Sequence, residues 1–199
     1  MSSIQGGKPT AEPDLWKPVL SRALIALAFG LLTVFWPDIT PLSRAIATGL
    51  YLVVSGATVI FLLLSIRRGL ATAVGMLWLE ASLFLLGGIL AMIFQDAVLF
   101  AVVTGLTLLL TGLLEVYLGF RYRSRTVLGR DWLITGGVAA LAAVLLFPLA
   151  GTSLRAPVGV LGGSAVIIGV VAVLAALSYR HDGGRAAVSG EKQALPGVE

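Results

Sequence analysis

Residues 97–120 read AVLFAVVTGLTLLLTGLLEVYLGF, an apolar run with a single charged side chain, Glu115. A helix that spans the roughly 30 Å hydrocarbon core of a bilayer needs about 20 consecutive, mostly apolar residues. The run satisfies that requirement and predicts a transmembrane helix. Five further runs of this kind occur in the chain, separated by charged residues, Pro and Gly. The predicted spans are 19–36, 45–65, 70–94, 97–120, 132–150 and 157–179.

The composition of the whole chain agrees with this pattern. Of the 199 residues, 58% are hydrophobic and 12% are charged, whereas about a quarter are charged in soluble domains. Cysteine is absent, which excludes disulfides and thiolate metal sites. We predict an all-α integral membrane protein with a six-helix membrane domain over residues 18–180. Residues 1–17 and 181–199 are polar and are expected to be disordered cytoplasmic ends.

The positions of Lys and Arg predict the orientation, because cytoplasmic connectors keep positive charge. Six spans place both termini and the connectors after even-numbered spans on one side of the membrane. The basic residues on that side are Lys8, Lys17, Arg22, Arg67, Arg68, Arg121, Arg123, Arg125, Arg130, Arg180, Arg185 and Lys192. Only Arg44 and Arg155 fall on the other side. Both termini are therefore predicted to be cytoplasmic.

A Gly-x6-Gly frame recurs in the even-numbered spans: GLYLVVSG at 49–56, GLTLLLTG at 105–112 and GGSAVIIG at 162–169. The odd-numbered spans repeat as well, since residues 30–38 align with residues 88–96. We predict three parallel two-helix hairpin repeats, at about 19–68, 70–125 and 132–180. Each unit contains two spans, so all three units have the same orientation. Their expected arrangement is pseudo-threefold about the membrane normal, unlike the inverted repeats of many transporters.

The repeated glycines are interpreted as helix-packing positions. Glycines seven residues apart lie on nearly the same face of a helix, and small residues allow close approach of helices in lipid. A role in ligand binding is the alternative. The six positions are Gly49, Gly56, Gly105, Gly112, Gly162 and Gly169.

The six spans, the repeated hairpin and the aromatic-Pro-Asp ending at Trp36-Pro37-Asp38 together resemble the HdeD-like family of small multi-pass bacterial membrane proteins. That family is built from a short repeat of unknown function. The resemblance implies a location in the bacterial inner (plasma) membrane and a role in acid resistance or envelope stress tolerance. It supplies no catalytic residues, and repeat three departs from the pattern, being rich in Ala and Gly. We expect a non-catalytic protein; a small-solute or proton transporter or channel is the alternative.

Three ionisable residues lie inside the predicted spans and away from the outer turns: Arg22, Glu80 and Glu115. Charged groups in a bilayer are costly, so they usually face the bundle and pair. One hypothesis is a proton relay or polar solute site at the carboxylates. The other is a structural ion pair with Arg22, or snorkelling to the interface. The hydroxyls of Ser55, Thr104, Thr107 and Thr111 extend a polar path in the first hypothesis, or bond to their own helices in the second.

No known catalytic or cofactor motif is present. His181 is the only histidine, so neither a Ser-His-Asp arrangement nor a histidine metal site is predicted. No catalytic residue, metal site or cofactor is therefore predicted. The net charge of +4 is spread over connectors, which favours membrane orientation over nucleic-acid binding. The expected partners are the lipid bilayer and anionic lipids at Arg67, Arg68, Arg121, Arg123 and Arg125; a homo-oligomer is compatible with the sequence.

Overall fold

A computed structural model describes residues 15–65, 71–124 and 128–194 of the chain. Within these ranges the chain is all-helical. The helices are α1 (Trp16–Phe35), α2 (Pro41–Ser65), α3 (Ala71–Ile93), α4 (Ala97–Tyr122), α5 (Leu128–Leu149) and α6 (Arg155–Ala194). All six are long and apolar enough to cross a membrane, α6 through its part Arg155–His181. The all-α class and the build of a multi-pass membrane protein are confirmed.

The helix bounds follow the predicted spans closely, because long apolar runs mark membrane helices well. The largest differences at helix starts are four residues, at α2 (predicted residue 45, observed Pro41) and at α5 (predicted residue 132, observed Leu128). In α2 the start has a clear cause. Thr40 and Ser43 form a reciprocal cap there: each hydroxyl accepts a hydrogen bond from the other residue's backbone N–H, at 3.0 and 2.9 Å. Pro41 occupies the first helical position, which suits its fixed φ. Arg44, expected in an outer turn, therefore lies inside α2.

The C-terminal end of α6 also differs from the expectation. The helix continues to Ala194, whereas a disordered tail is expected from residue 181 onward. Adding residues to an existing helix costs much less than starting one, so a polar segment that follows a membrane helix can continue it. Residues 1–14 and 195–199, which belong to the two predicted disordered ends, lie outside the described residues.

The helices form a closed ring in which each helix contacts its neighbours in the chain and α6 contacts α1. The most extensive contacts join α2 to α3, α4 to α5, and α6 to α1. The contacts inside the hairpins α1–α2, α3–α4 and α5–α6 are smaller. Helix packing is therefore closest between the units that the sequence analysis defines, and looser within them.

Small residues account for the close helix pairs. The Cβ of an alanine at Gly49 would lie 2.5 Å from the carbonyl oxygen of Gly88 in α3. The corresponding distance at Gly112 to the carbonyl oxygen of Gly136 in α5 is 2.7 Å. At Gly30 it is 2.9 Å to the carbonyl oxygen of Gly162 in α6. Backbone meets backbone at these three points, as expected where packing drives association in lipid.

The ring has an apolar outside and a partly polar inside. Large apolar side chains such as Val34, Phe35 and Leu64 are exposed on the helix surfaces, as a lipid-facing surface requires. The buried polar side chains include Arg44, Thr48, Ser55, Glu80, Thr104, Thr111, Glu115 and Thr135. We call the end of the ring where α1 begins the terminus end. The opposite end, which holds the turns after α1, α3 and α5, is the turn end.

Candidate functional site

An ion pair lies in the half of the ring near the terminus end. The guanidinium of Arg22 in α1 donates a hydrogen bond through Nη2 to Oε1 of Glu115 in α4. The other carboxylate oxygen, Oε2, accepts a hydrogen bond from the hydroxyl of Thr135 in α5 at 2.6 Å. The Glu115 side chain is 1% exposed and that of Arg22 is 18% exposed. The pair thus joins α1, α4 and α5 around one buried carboxylate.

The packing of α4 against α5 explains why Thr135 reaches Glu115. The residue after Thr135 is Gly136, and a Cβ there would lie 2.7 Å from the Cβ of Glu115. A larger residue at position 136 would push α5 away from α4. The missing side chain of Gly136 thus lets the neighbouring hydroxyl bond the carboxylate.

Glu80 of α3 adds a second buried carboxylate to this site. Its side chain is fully buried, and neither of its oxygens accepts a hydrogen bond from any described donor. It interacts electrostatically with both Glu115 and Arg22. A hydrogen bond between two carboxyl groups requires a proton on one of them. The cluster of Arg22, Glu80 and Glu115 therefore contains one cation for two acids.

A cavity of about 30 Å³ lies next to this cluster, lined by Arg22, Thr58, Asp131, Thr135 and apolar residues of α1, α2, α5 and α6. That volume holds about two water molecules. Asp131 lines the cavity one helical turn before Thr135 and accepts a hydrogen bond from the Tyr179 hydroxyl of α6. The cavity thus places water-sized space between the carboxylate cluster and the terminus end.

The hydroxyl residues toward the middle of the ring divide into two groups. Ser55, Thr107 and Thr111 donate to backbone carbonyls of their own helices, at 2.7, 2.8 and 2.8 Å. Thr104 is fully buried and its hydroxyl has no partner among the described residues. The first three follow the common behaviour of hydroxyl residues in membrane helices; Thr104 leaves a polar atom unpaired.

The remaining glycines of the repeat frames also face other helices. A Cβ at Gly56 would lie 3.1 Å from the carbonyl oxygen of Ala81, and one at Gly105 would lie 3.2 Å from the Phe147 ring. At Gly162 and Gly169 the neighbours are Thr33 and Leu27 of α1. These positions are occupied by helix neighbours, which leaves no space for a ligand beside them.

Sequence reasoning singled out Arg22, Glu80 and Glu115, and the structure brings all three together. The sequence did not point to Thr135 and Asp131, which complete the surroundings of the cluster. Asp131 could have been recognised from the sequence, because it is an acidic residue at the start of a predicted span. Thr135 could not have been recognised in this way, because isolated hydroxyl residues are ordinary in membrane helices.

The predicted lipid-binding arginines are only partly described. Arg121 and Arg123 are exposed at the terminus end, and the Arg123 guanidinium lies 5.8 Å from the centre of the Phe120 ring. The other three, Arg67, Arg68 and Arg125, lie outside the described residues. In the described part of the chain, no group of three or more His, Asp or Glu side chains is placed to hold a metal ion.

Comparison with known proteins identifies the repeat. A family model described as a short repeat of unknown function (DUF308) matches the chain twice, at residues 21–93 and 79–148. The first match includes Arg22 and Glu80, and the second includes Glu80, Glu115 and Thr135. No curated protein and no solved structure matches the chain.

Proposed function

The chain belongs to the family of the short repeat of unknown function DUF308, and on that premise we propose that it is an HdeD-like, non-catalytic protein of the bacterial plasma membrane that contributes to acid or envelope stress tolerance. One observation carries the proposal: Glu80 is fully buried with no hydrogen-bond donor among the described residues, beside Glu115 and its cation Arg22. Buried charges in membrane helices are expensive and commonly functional. A structural ion pair needs Glu115 and Arg22 but not Glu80.

The second carboxylate gives the cluster a place to hold a proton. Arg22 balances one negative charge, so a second ionised carboxylate leaves the buried cluster with excess negative charge. A proton shared by Glu80 and Glu115 removes that excess and supplies the hydrogen bond that Glu80 lacks. The cavity lined by Arg22, Asp131 and Thr135 is the route by which water brings the proton from the terminus end.

The arrangement in the membrane is part of the proposal. Three parallel hairpin repeats related by a pseudo-threefold axis are supported by the alternation of larger and smaller helix contacts around the ring. The double match of the family model supports the repeat itself. Both termini are cytoplasmic, which the distribution of Lys and Arg favours. Anionic lipids bind at the terminus end, where Arg121 and Arg123 are exposed.

A transporter or channel for protons or a small solute is the second candidate. The observation that favours it is the line of buried polar groups on α2 and α4 toward the turn end, including the Thr104 hydroxyl, which has no partner in the part of the chain that the structure describes. Against it, Ser55, Thr107 and Thr111 already bond their own helices. A proton-binding site open to one side therefore fits the geometry better than a continuous path.

The test is survival at low pH of a strain that lacks the protein, complemented with wild type, Glu80→Gln or Glu115→Gln at matched abundance. We expect wild type to restore survival and both variants to fail, because each removes a carboxylate that holds the shared proton. Asp38→Asn is the matched control: it removes an exposed acid at the turn end and should restore survival like wild type.

Two results would decide against parts of the proposal. If both Gln variants restore survival fully, the carboxylates are structural and proton binding is not the function. If wild type itself does not restore survival, the stress role is wrong. Proton flux into proteoliposomes separates the two candidates: a transporter shows flux that Glu80→Gln abolishes, whereas a one-sided proton site shows none.

A further inference from the structure

Two aromatic side chains, Phe29 of α1 and Tyr51 of α2, are stacked in the core of the protein. The centres of their six-membered rings are 4.3 Å apart, and the two planes are inclined by 8°. Phe29 is buried and Tyr51 is half-buried. Tyr51 interacts electrostatically with Arg22 and Glu115, so its hydroxyl lies near the carboxylate cluster. The stacked pair therefore borders the cluster on the side of the turn end.

One cavity lies on each side of the stacked pair. The cavity beside the carboxylate cluster is lined by Arg22 of α1 and Thr58 of α2. A second cavity, of about 10 Å³, is lined by Phe29 of α1 and Thr48 of α2. It reaches half-exposed residues of the turn end: Trp36, Ile39 and Ser43. Tyr51 lies between Thr48 and Thr58, which about 15 Å of helix separates. The stacked pair thus stands between the two cavities.

Helix α6 completes this boundary with apolar side chains. It lines the turn-end cavity through Val158 and the cavity beside the cluster through Ala172. The buried side chains of α6 between these two residues include Leu161, Ala165 and Ile168. A buried water molecule needs two to four polar partners, and this wall offers it none of its side chains. Water therefore does not pass easily between the cavities.

The second repeat shows the same contact without aromatic side chains. Tyr51 matches Thr107 in the Gly-x6-Gly frames, and Phe29 matches Gly87 in the alignment of the odd-numbered spans. These matching residues also face each other, since a Cβ at Gly87 would collide with the Thr107 side chain. A small pair is thus sufficient to pack such a hairpin. Helix packing alone does not require the two aromatic side chains of the first repeat.

We propose that Phe29 and Tyr51 form a barrier to water and protons that closes the carboxylate cluster toward the turn end. The inference rests on the proposed proton site and explains why that site is open to one side. Thr48 and Ser55 flank Tyr51 on the same face of α2. Without the aromatic pair, their hydroxyls line a roomier, polar gap that water fills. The two cavities then join into one path through the helix ring.

Arg44 influences which ion follows such a path. It is buried and lines the turn-end cavity. A fixed positive charge in a narrow path disfavours hydronium and favours hydroxide. Movement of either ion reduces a pH difference across the membrane, so a pH measurement detects the opened barrier in both cases.

The test is the decay of a pH difference across proteoliposomes that contain the full-length protein and a trapped pH-sensitive dye, with the electrical potential held at zero. Wild type should decay as slowly as protein-free vesicles. Tyr51→Ala should decay several-fold faster, because it removes one of the stacked side chains. Tyr51→Phe keeps the stack and should match wild type. Equally fast decay of Tyr51→Phe and Tyr51→Ala would overturn the proposal, because the hydroxyl would then be the essential group.

Tyr117→Ala is the matched control, because Tyr117 is a tyrosine of α4 on the outer surface, 49% exposed. It should decay as slowly as wild type. The proposal is wrong if Tyr51→Ala decays as slowly as Tyr117→Ala, and also if Tyr117→Ala decays as fast as Tyr51→Ala.

A second variant covers the case in which Tyr51→Ala does not fold. Tyr51→Thr copies the matching residue of the second repeat, Thr107, and should also decay several-fold faster than wild type. Size-exclusion chromatography and Tm establish that the variant is folded. A folded Tyr51→Thr with a lowered Tm and slow decay would show that the pair serves packing, which contradicts the barrier.

This experiment and the survival test of the proposed function can fail separately. Slow decay of folded Tyr51→Ala removes the barrier and leaves the role of Glu80 and Glu115 in survival as it was. Full survival of the two Gln variants removes the proton site, whereas fast decay of Tyr51→Ala would still show that the aromatic pair blocks the path.

Discussion

Glu80 and Glu115 are both buried carboxylates on neighbouring helices, but their surroundings differ. Glu115 is bonded to Arg22 and Thr135, one partner for each oxygen. Glu80 has no described donor on either oxygen. The structure therefore assigns the stabilising contacts to Glu115 and leaves Glu80 as a group whose ionised form adds little to folding.

Substitution of the two acids by Gln should separate these contributions. Glu115→Gln removes the counter-ion of Arg22 and should lower the free energy of unfolding by about 1–3 kcal/mol. Glu80→Gln imitates a protonated Glu80, because its amide can donate to Glu115, and should change stability by less than about 1 kcal/mol or raise it. Thermal unfolding of the purified variants measures both effects. Equal losses from the two variants would show that Glu80 is as structural as Glu115.

The residues of the cluster illustrate what a sequence alone can reveal at this scale. Arg22, Glu80 and Glu115 stand out because ionisable side chains are rare in apolar spans. Thr135 and the buried position of Arg44 do not stand out. The contact of Thr135 with Glu115 depends on the register of α5 against α4. The burial of Arg44 depends on the cap at Thr40, which sets the residue at which α2 starts.

At the scale of the helix, the close pairs depend on glycines that face a neighbouring backbone. Gly136 and Gly137 are adjacent in α5 but have opposite surroundings. A Cβ at Gly136 would lie 2.6 Å from the carbonyl oxygen of Gly112 and 2.7 Å from the Cβ of Glu115. A Cβ at Gly137 would meet nothing within 4 Å. Of these two glycines, only Gly136 is required for the close approach of α4 and α5.

Alanine at the two positions should therefore have different effects. Gly136→Ala should destabilise the protein by about 1–3 kcal/mol, because overpacking shifts backbone that cannot yield easily. Gly137→Ala should be neutral or stabilising by up to about 1 kcal/mol, since alanine favours a helix over glycine. Unfolding in a graded detergent series measures the difference. Equal stability of the two variants would show that α4 and α5 separate without cost.

At this scale the sequence predicted where the helices lie, but it did not predict which helices pack closely together. Long apolar runs place each span within a few residues, as at α4, where predicted residues 97–120 compare with Ala97–Tyr122. The Gly-x6-Gly frames indicate that α2, α4 and α6 pack closely on some neighbour. They do not indicate which neighbour, because one glycine face suits any helix that presents small residues. The structure seats α2 on α3, α4 on α5 and α6 on α1.

At the scale of the whole molecule, the orientation in the membrane decides which solution reaches the carboxylate cluster. Arg22, Glu115 and the cavity beside them lie toward the terminus end. If both termini are cytoplasmic, the cluster responds to cytoplasmic acidification. The opposite orientation would expose the carboxylates to the external acid directly. The proposed function therefore depends on the side on which the termini lie.

Single cysteines can determine that side, because the natural chain has none. Ser124→Cys introduces an exposed thiol after α4 at the terminus end, and Thr152→Cys introduces one in the turn before α6. With the excess of Lys and Arg at the terminus end retained in the cytoplasm, a membrane-impermeant maleimide should label Thr152→Cys in cells with a permeabilised outer membrane. Ser124→Cys should be labelled only after the inner membrane is broken, and the cysteine-free parent should remain unlabelled. The reverse pattern would place the termini outside, and the proton site would then sense the periplasm.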